Sequence, residues 1–204
     1  RLLNMEHEVL TNIVVMGMGE PFNNYDNTLA AVDRLNDQRG FNLGARRFTI
    51  STVGLVPMIQ QFAAEKRQVN LAVSLHAAND PLRSSLLPIN KKYPLTELIP
   101  ACREYVEITG RRISFEWALI RDINDRPQDA SELTELVRGM NCHINVIPLN
   151  PTGAYTGNAT AISRAQEFAD QLNTARIPCT IRLRRGIDIQ AGCGQLAGKY
   201  TKMP

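Results

Sequence analysis

Short apolar runs alternate with amphipathic stretches along this chain. Residues 12–16, 47–52, 69–76, 112–119, 143–149 and 179–184 read as strands. Apolar positions three and four apart read as helices over 28–36, 57–66, 126–139 and 161–174, and over a segment that opens at Pro94 or Leu95 and runs to about 108. Residues 77–94 hold Pro81, Pro88 and Pro94 and read as a long connection. Strand and helix in strict alternation imply βα units around a parallel sheet. The strand runs are nearly continuous in apolar residues, as expected where both faces are covered. The pattern suits part of a closed barrel and an open, doubly wound sheet equally. In both, ligands gather at the carboxyl ends of the strands.

Composition narrows the class. The chain has 204 residues, 44% of them hydrophobic, enough for one domain over 1–204 with a substantial core. Its apolar runs are too short to cross a bilayer, so no membrane partner and a cytoplasmic location are expected. It opens on Arg1 rather than Met, which suggests a piece of a longer protein. Net charge is +3, compatible with nucleic acid without demanding it. The pairs Arg46-Arg47, Lys91-Lys92, Arg111-Arg112 and Arg184-Arg185 read first as solvated edges. None of the four cysteines has a neighbour at metal-site spacing, so no metal ligand is expected in this chain. Cys102, Cys142 and Cys179 fall in helix- or strand-like runs. Cys193 stands between Gly192 and Gly194, where the backbone bends freely and a thiol can reach a substrate.

Polar residues stand at the end of five consecutive strands. The first gives Gly17-Met18-Gly19-Glu20-Pro21. It lacks the third glycine of a dinucleotide fingerprint, and Pro21 blocks an immediate helix start. Glu20 suits a cationic amine, or is a surface carboxylate beside a bulge. Ser51 suits a carboxylate or a ribose, or is a turn residue. Ser74-Leu75-His76 offers a base or a ring to cover an adenine, or an ordinary strand end. Glu116 and residues 121–125 follow on the fourth strand. Asn150, between Leu149 and Pro151, suits ligand hydroxyls, or is a turn residue.

Taken together, these segments resemble the RlmN/Cfr family of radical-SAM RNA methyltransferases, and its RlmN branch more closely. The matching stretches are Val15-Met16-Gly17-Met18-Gly19-Glu20-Pro21, Ile50-Ser51-Thr52-Val53-Gly54-Leu55-Val56-Pro57, Leu71-Ala72-Val73-Ser74-Leu75-His76-Ala77, Arg83 to Asn90, Ile147-Pro148-Leu149-Asn150-Pro151, and Asp188 to Leu196 with Gly192-Cys193-Gly194 inside it. The resemblance runs over about 12–198 and implies a partial (β/α)6 radical-SAM-type barrel, α/β in class and truncated at its amino-terminal side. It implies S-adenosylmethionine (SAM) held by Gly19, Glu20, Ser51, Ser74, Leu75, His76 and Asn150, and a methyl group carried by Cys193 on a loop at about 186–198. It also implies a [4Fe-4S] cluster whose three cysteines lie upstream of Arg1, outside these residues.

The substrates implied are adenosines in 23S rRNA and tRNA, with a reducing partner such as flavodoxin. The implied reaction moves a methyl to the thiolate, then to the electron-poor carbon 2 of adenine, with release through a disulfide to a second cysteine. Three other expectations stand beside this one. Methylation could fall on carbon 8, as in Cfr. A small-molecule barrel enzyme could use Glu20, His76 and Glu116 as acid and base, with Gly153 and Gly157 near a phosphate. The chain could also be a non-catalytic RNA-binding module. Arg182 and Arg184 share one face of the last strand and suit RNA, or line a solvated edge.

Overall fold

The computed structural model describes residues 10–17, 19–149 and 160–182. Six parallel strands pair in chain order: β1 (Ile13–Val15), β2 (Phe48–Thr52), β3 (Asn70–Ser74), β4 (Ile113–Leu119), β5 (Cys142–Pro148) and β6 (Cys179–Ile181). This order settles the architecture. A doubly wound sheet reverses its strand order at a switch point. Here every step goes the same way, and right-handed crossovers then place all the helices on one face. The other face curves inward as the lumen of a partial barrel. The helices are α1 (Tyr25–Asn36), α2 (Val56–Ala64), α3 (Asp80–Leu86), α4 (Leu95–Thr109), α5 (Pro127–Val137) and α6 (Ile162–Thr174).

The two sheet faces differ in chemistry. Towards the helices stand Phe48, Ile50, Leu71, Val73, Phe115 and Trp117, all fully buried. Phe22, Phe62 and Tyr105 continue that core as a chain of rings with centroids 5.7 and 6.1 Å apart. The lumen face carries Thr49, Ser51, Ser74, Ser114, His143 and Asn145, all half-buried. Strands β2 and β5 therefore alternate in burial, and the expectation of strands covered on both faces fails for them. Their inward positions are small or polar because they line a lumen rather than a second layer of core.

Element positions agree with the sequence pattern to within a few residues, with one omission. The stretch 77–94 is not a plain connection. It holds α3 and a 3₁₀ turn, Pro88–Lys91. Asn79 caps α3 by accepting a hydrogen bond from the Leu82 N–H at 3.0 Å, and Pro81 lies in its first turn. Asn before Asp-Pro is a helix-start signal; the three prolines masked it by reading as breakers.

Candidate ligand site at the strand ends

The turn after β1 is built for a close approach. Gly19 has φ +85° and Gly17 φ +145°, conformations that side chains rarely adopt, and a Cβ on either would meet nothing within 4 Å among the described residues. No described side chain therefore covers the backbone there. Next to it, the Glu20 carboxylate is aimed by two backbone donors. Phe22 N–H donates to Oε1 at 3.0 Å, and Val53 N–H, just past β2, donates to Oε2 at 2.7 Å. Each oxygen keeps a lone pair for a further donor. Glu20 thus ties β1 to β2 and still offers charge to a ligand ammonium.

Ser51 stands on the lumen face of β2 and Ser74 ends β3. Leu75 is fully buried, and its N–H donates to the Glu116 carbonyl at 3.0 Å. It offers a ligand no side chain; it fixes the path from Ser74 to His76. His76 has φ 59°. Its Nδ1 accepts the Ala118 N–H at 2.9 Å, which leaves the proton on Nε2 as a donor. Burial, with the Arg83 charge adding to it, pushes its pKa down to about 4. A ring that stays neutral, with Nδ1 already occupied, is a poor general base near pH 7. Glu20, His76 and Glu116 are thus not assembled as an acid–base trio. Asn150, Cys193, Arg184, Gly153 and Gly157 lie outside the described residues.

A pH dependence follows from His76. Unfolded histidine takes a proton near 6.5, the folded one only near 4. Between those values the unfolded chain binds more protons, so stability falls as pH drops. His76→Asn keeps an acceptor for Ala118 N–H and tolerates positive φ. Thermal unfolding of the two proteins between pH 7 and 4 should diverge, with the wild type losing more; parallel curves would contradict the buried neutral ring.

Two arrangements at this edge extend beyond the predicted site residues. Arg83 on α3 is fully buried. Its guanidinium donates to the carbonyls of Val53 at 2.8 Å, Leu75 at 3.2 Å and Ser74 at 3.2 Å, and to Asn90 Oδ1 at 2.7 Å. It locks the ends of β2 and β3 together, and its burial lowers its pKa to about 10. In the sequence it heads the stretch Arg83 to Asn90 that carries part of the family resemblance, inside a segment that reads as a connection.

The second group lies on the lumen face. The register aligns Ser74, Glu116, Asn145 and Thr180 in one row across four strands. Asn145 donates to Glu116 Oε1 at 2.8 Å, and burial pushes the Glu116 carboxyl up. Arg182 Nη1 lies 3.5 Å from Glu116 Oε2 and 3.9 Å from Met16 Sδ. Arg182 therefore reaches across the lumen towards β1 and is not a plain edge residue.

Cys102, Cys142 and Cys179 are buried, and desolvation pushes their thiols up to about 12, 11 and 12. Such thiols suit neither nucleophile nor metal ligand. Among the described residues no group of three metal-ligating side chains occurs, and no helix is long and apolar enough to cross a membrane.

A parallel sheet wound one way, with a glycine-and-glutamate cradle at its carboxyl edge, defines the class: an α/β partial barrel of radical-SAM type. A radical SAM methyltransferase from Sphaerobacter thermophilus superposes with a TM-score of 0.92 at 52% identity, over 95% of this chain and 57% of that one. A domain of the pyruvate-formate lyase-activating enzyme from Bacteroides vulgatus shares the fold at a TM-score of 0.65 and 13% identity, over 85% of this chain and 100% of that one. No protein-family model matches the chain.

The curated relatives are more particular. "Dual-specificity RNA methyltransferase RlmN 1" of Myxococcus xanthus is 51% identical over 196 residues, 96% of this chain and 55% of its own length. "Probable dual-specificity RNA methyltransferase RlmN" of Thermoanaerobacter sp. is 47% identical over 98% of this chain and 58% of its own length. The chain belongs to the RlmN family. It spans a little over half the length of these relatives.

Proposed function

We propose that the protein containing this chain methylates carbon 2 of adenosines in 23S rRNA and tRNA, with Cys193 as the methyl carrier. When bound, SAM and a [4Fe-4S] cluster would supply the methyl group and the one-electron chemistry that an unactivated ring carbon requires. The cluster's cysteines would come from residues other than those of this chain, and its electrons from a reducing partner such as flavodoxin. Identity near 50% to proteins named dual-specificity RNA methyltransferase RlmN supports the RNA substrate; the choice of carbon 2 over carbon 8 follows the motifs' likeness to the RlmN branch.

The observation that carries the reading is the cradle after β1. No described residue covers Gly19, so a ligand can lie against its backbone. Glu20, held by Val53 and Phe22, meets an ammonium with a charge-assisted hydrogen bond. Ser51 and Ser74 present hydroxyls from adjacent strands, and His76 presents Nε2–H as a donor. Asn150 completes the proposed SAM set.

Glu20→Gln tests this. The amide keeps one acceptor for the backbone and loses the charge. SAM affinity of the full-length protein, read by calorimetry, should fall at least 10-fold, with a loss of stability of only about 1 kcal/mol. Unchanged affinity would remove SAM from this cradle.

A further inference from the structure

The amino-terminal rim of the barrel, opposite the candidate site, is strongly basic. The five helix-to-strand connections (37–47, 65–69, 110–112, 138–141 and 175–178) carry nine arginines and lysines against Asp37 and Glu65. That is a formal +7 on a chain whose total is +3. The described connections at the carboxyl edge are close to balanced. Helix carboxyl ends also point to the basic rim and attract cations, at roughly −0.5 charge each. Five of them offset roughly −2.5, well short of the excess. Nor do the rim side chains cap those helices: among the described residues it is Arg103, from α4, that donates to the Leu136 and Arg138 carbonyls at the end of α5.

Local pairing leaves much of the charge free. Arg67 is neutralised by Asp33 and Glu65 at 2.6 and 2.5 Å, and Arg138 pairs with Glu135. Arg46 and Arg111, from different connections, instead converge on one neutral acceptor, Gln68 Oε1, at 3.2 and 3.1 Å. No carboxylate pairs with either among the described residues, and Arg111 Nε is a buried donor without a partner. Two guanidiniums drawn together on an amide lack an anion. Phe41, 65% exposed between Arg39 and Arg46 in sequence, adds a ring on which an unpaired base can stack.

We propose that this rim, centred on Arg46 and Arg111, binds the phosphate backbone of the RNA substrate away from the methylation site. The proposal rests on the RNA-methyltransferase reading above. The two pairs Arg46-Arg47 and Arg111-Arg112 then act as one surface, because the connections into β2 and β4 flank the one into β3 and both reach its Gln68. A large RNA contacting both edges of the barrel would hold its target adenosine in register without any base being read at the rim.

The test uses the full-length protein carrying Arg39→Gln, Arg46→Gln and Arg112→Gln together, all at exposed positions. Binding to a transcript of the peptidyl-transferase region of 23S rRNA is followed by fluorescence anisotropy from 50 to 200 mM salt. If each arginine neutralises one phosphate, the slope of log affinity against log salt should become shallower by about 2. Affinity at the lowest salt should drop 10-fold or more, with SAM affinity and circular dichroism unchanged. An unchanged slope, or an equal loss at every salt concentration, overturns the rim. Wild-type protein that binds SAM but not the RNA overturns the RNA reading and the rim together. Should the triple variant fold poorly, Arg39→Gln and Arg112→Gln singly must each reduce the slope by about one-third as much, or the proposal falls.

Discussion

Replacing Cys193 with alanine should reduce RNA methylation by the full-length protein to background. The three described cysteines cannot substitute. They are buried in the core with thiols pushed far above neutral pH, so neither access nor thiolate is available to them. Cys193 lies between two glycines, where a side chain as small as a thiol adds little to a core, so the variant should keep the melting temperature of the wild type. Mass spectrometry of wild-type protein incubated with SAM should place a methyl group on Cys193 alone. Appreciable methylation by the variant, or a variant that fails by unfolding, would remove Cys193 from the role of carrier.

The largest effect on stability is expected at Arg83. Arg83→Met leaves the carbonyls of Val53, Ser74 and Leu75 and the Asn90 side-chain oxygen without their donor. Each buried acceptor left unmatched costs about 1 kcal/mol or more. Relief of a desolvated cation returns part of that. A net loss of about 3 kcal/mol is expected, a large share of the 5–15 kcal/mol that holds a typical domain. That corresponds to roughly 10 °C in melting temperature for a chain of this size. Because the same four bonds fix Ser74, Leu75 and His76 relative to β2, SAM affinity should fall in parallel. Arg83→Lys can donate to some of these acceptors but not in a fork, and should fall between the two. A shift below about 2 °C for Arg83→Met would show that the strand ends hold their places without it.

Much of the site is legible in the amino-acid sequence because its chemistry uses residues that have few other uses at strand ends. Gly17, Gly19 and Glu20 interrupt an apolar strand where only backbone freedom or a ligand calls for it. Ser51, Ser74 and His76 recur at the same edge because parallel strands all end there. What these side chains do among themselves is not legible. Glu20 bonds to Val53, thirty-three positions away, and His76 accepts from Ala118, forty-two away. Those partners are backbone groups, which every residue carries, so no sequence signal marks them. The neutral state of His76 likewise depends on burial and on Arg83, and neither is visible in the local sequence.

By itself the chain determined the order of its elements, the parallel pairing and the edge where ligands gather, because apolar periodicity and short connections dictate these locally. Only the tertiary structure decided that the sheet winds one way into a partial barrel, because strand order is a long-range choice that alternation alone leaves open. It also decided which polar residues serve the fold and which remain available. Arg83, at a position that reads as loop, became the buried clasp of two strands. Arg182, at a position that reads as an edge, turned into the lumen towards Glu116. Two of the four basic pairs, with further arginines and a lysine from other connections, became one charged rim, because charge adds up over surfaces in space and the sequence records it only residue by residue.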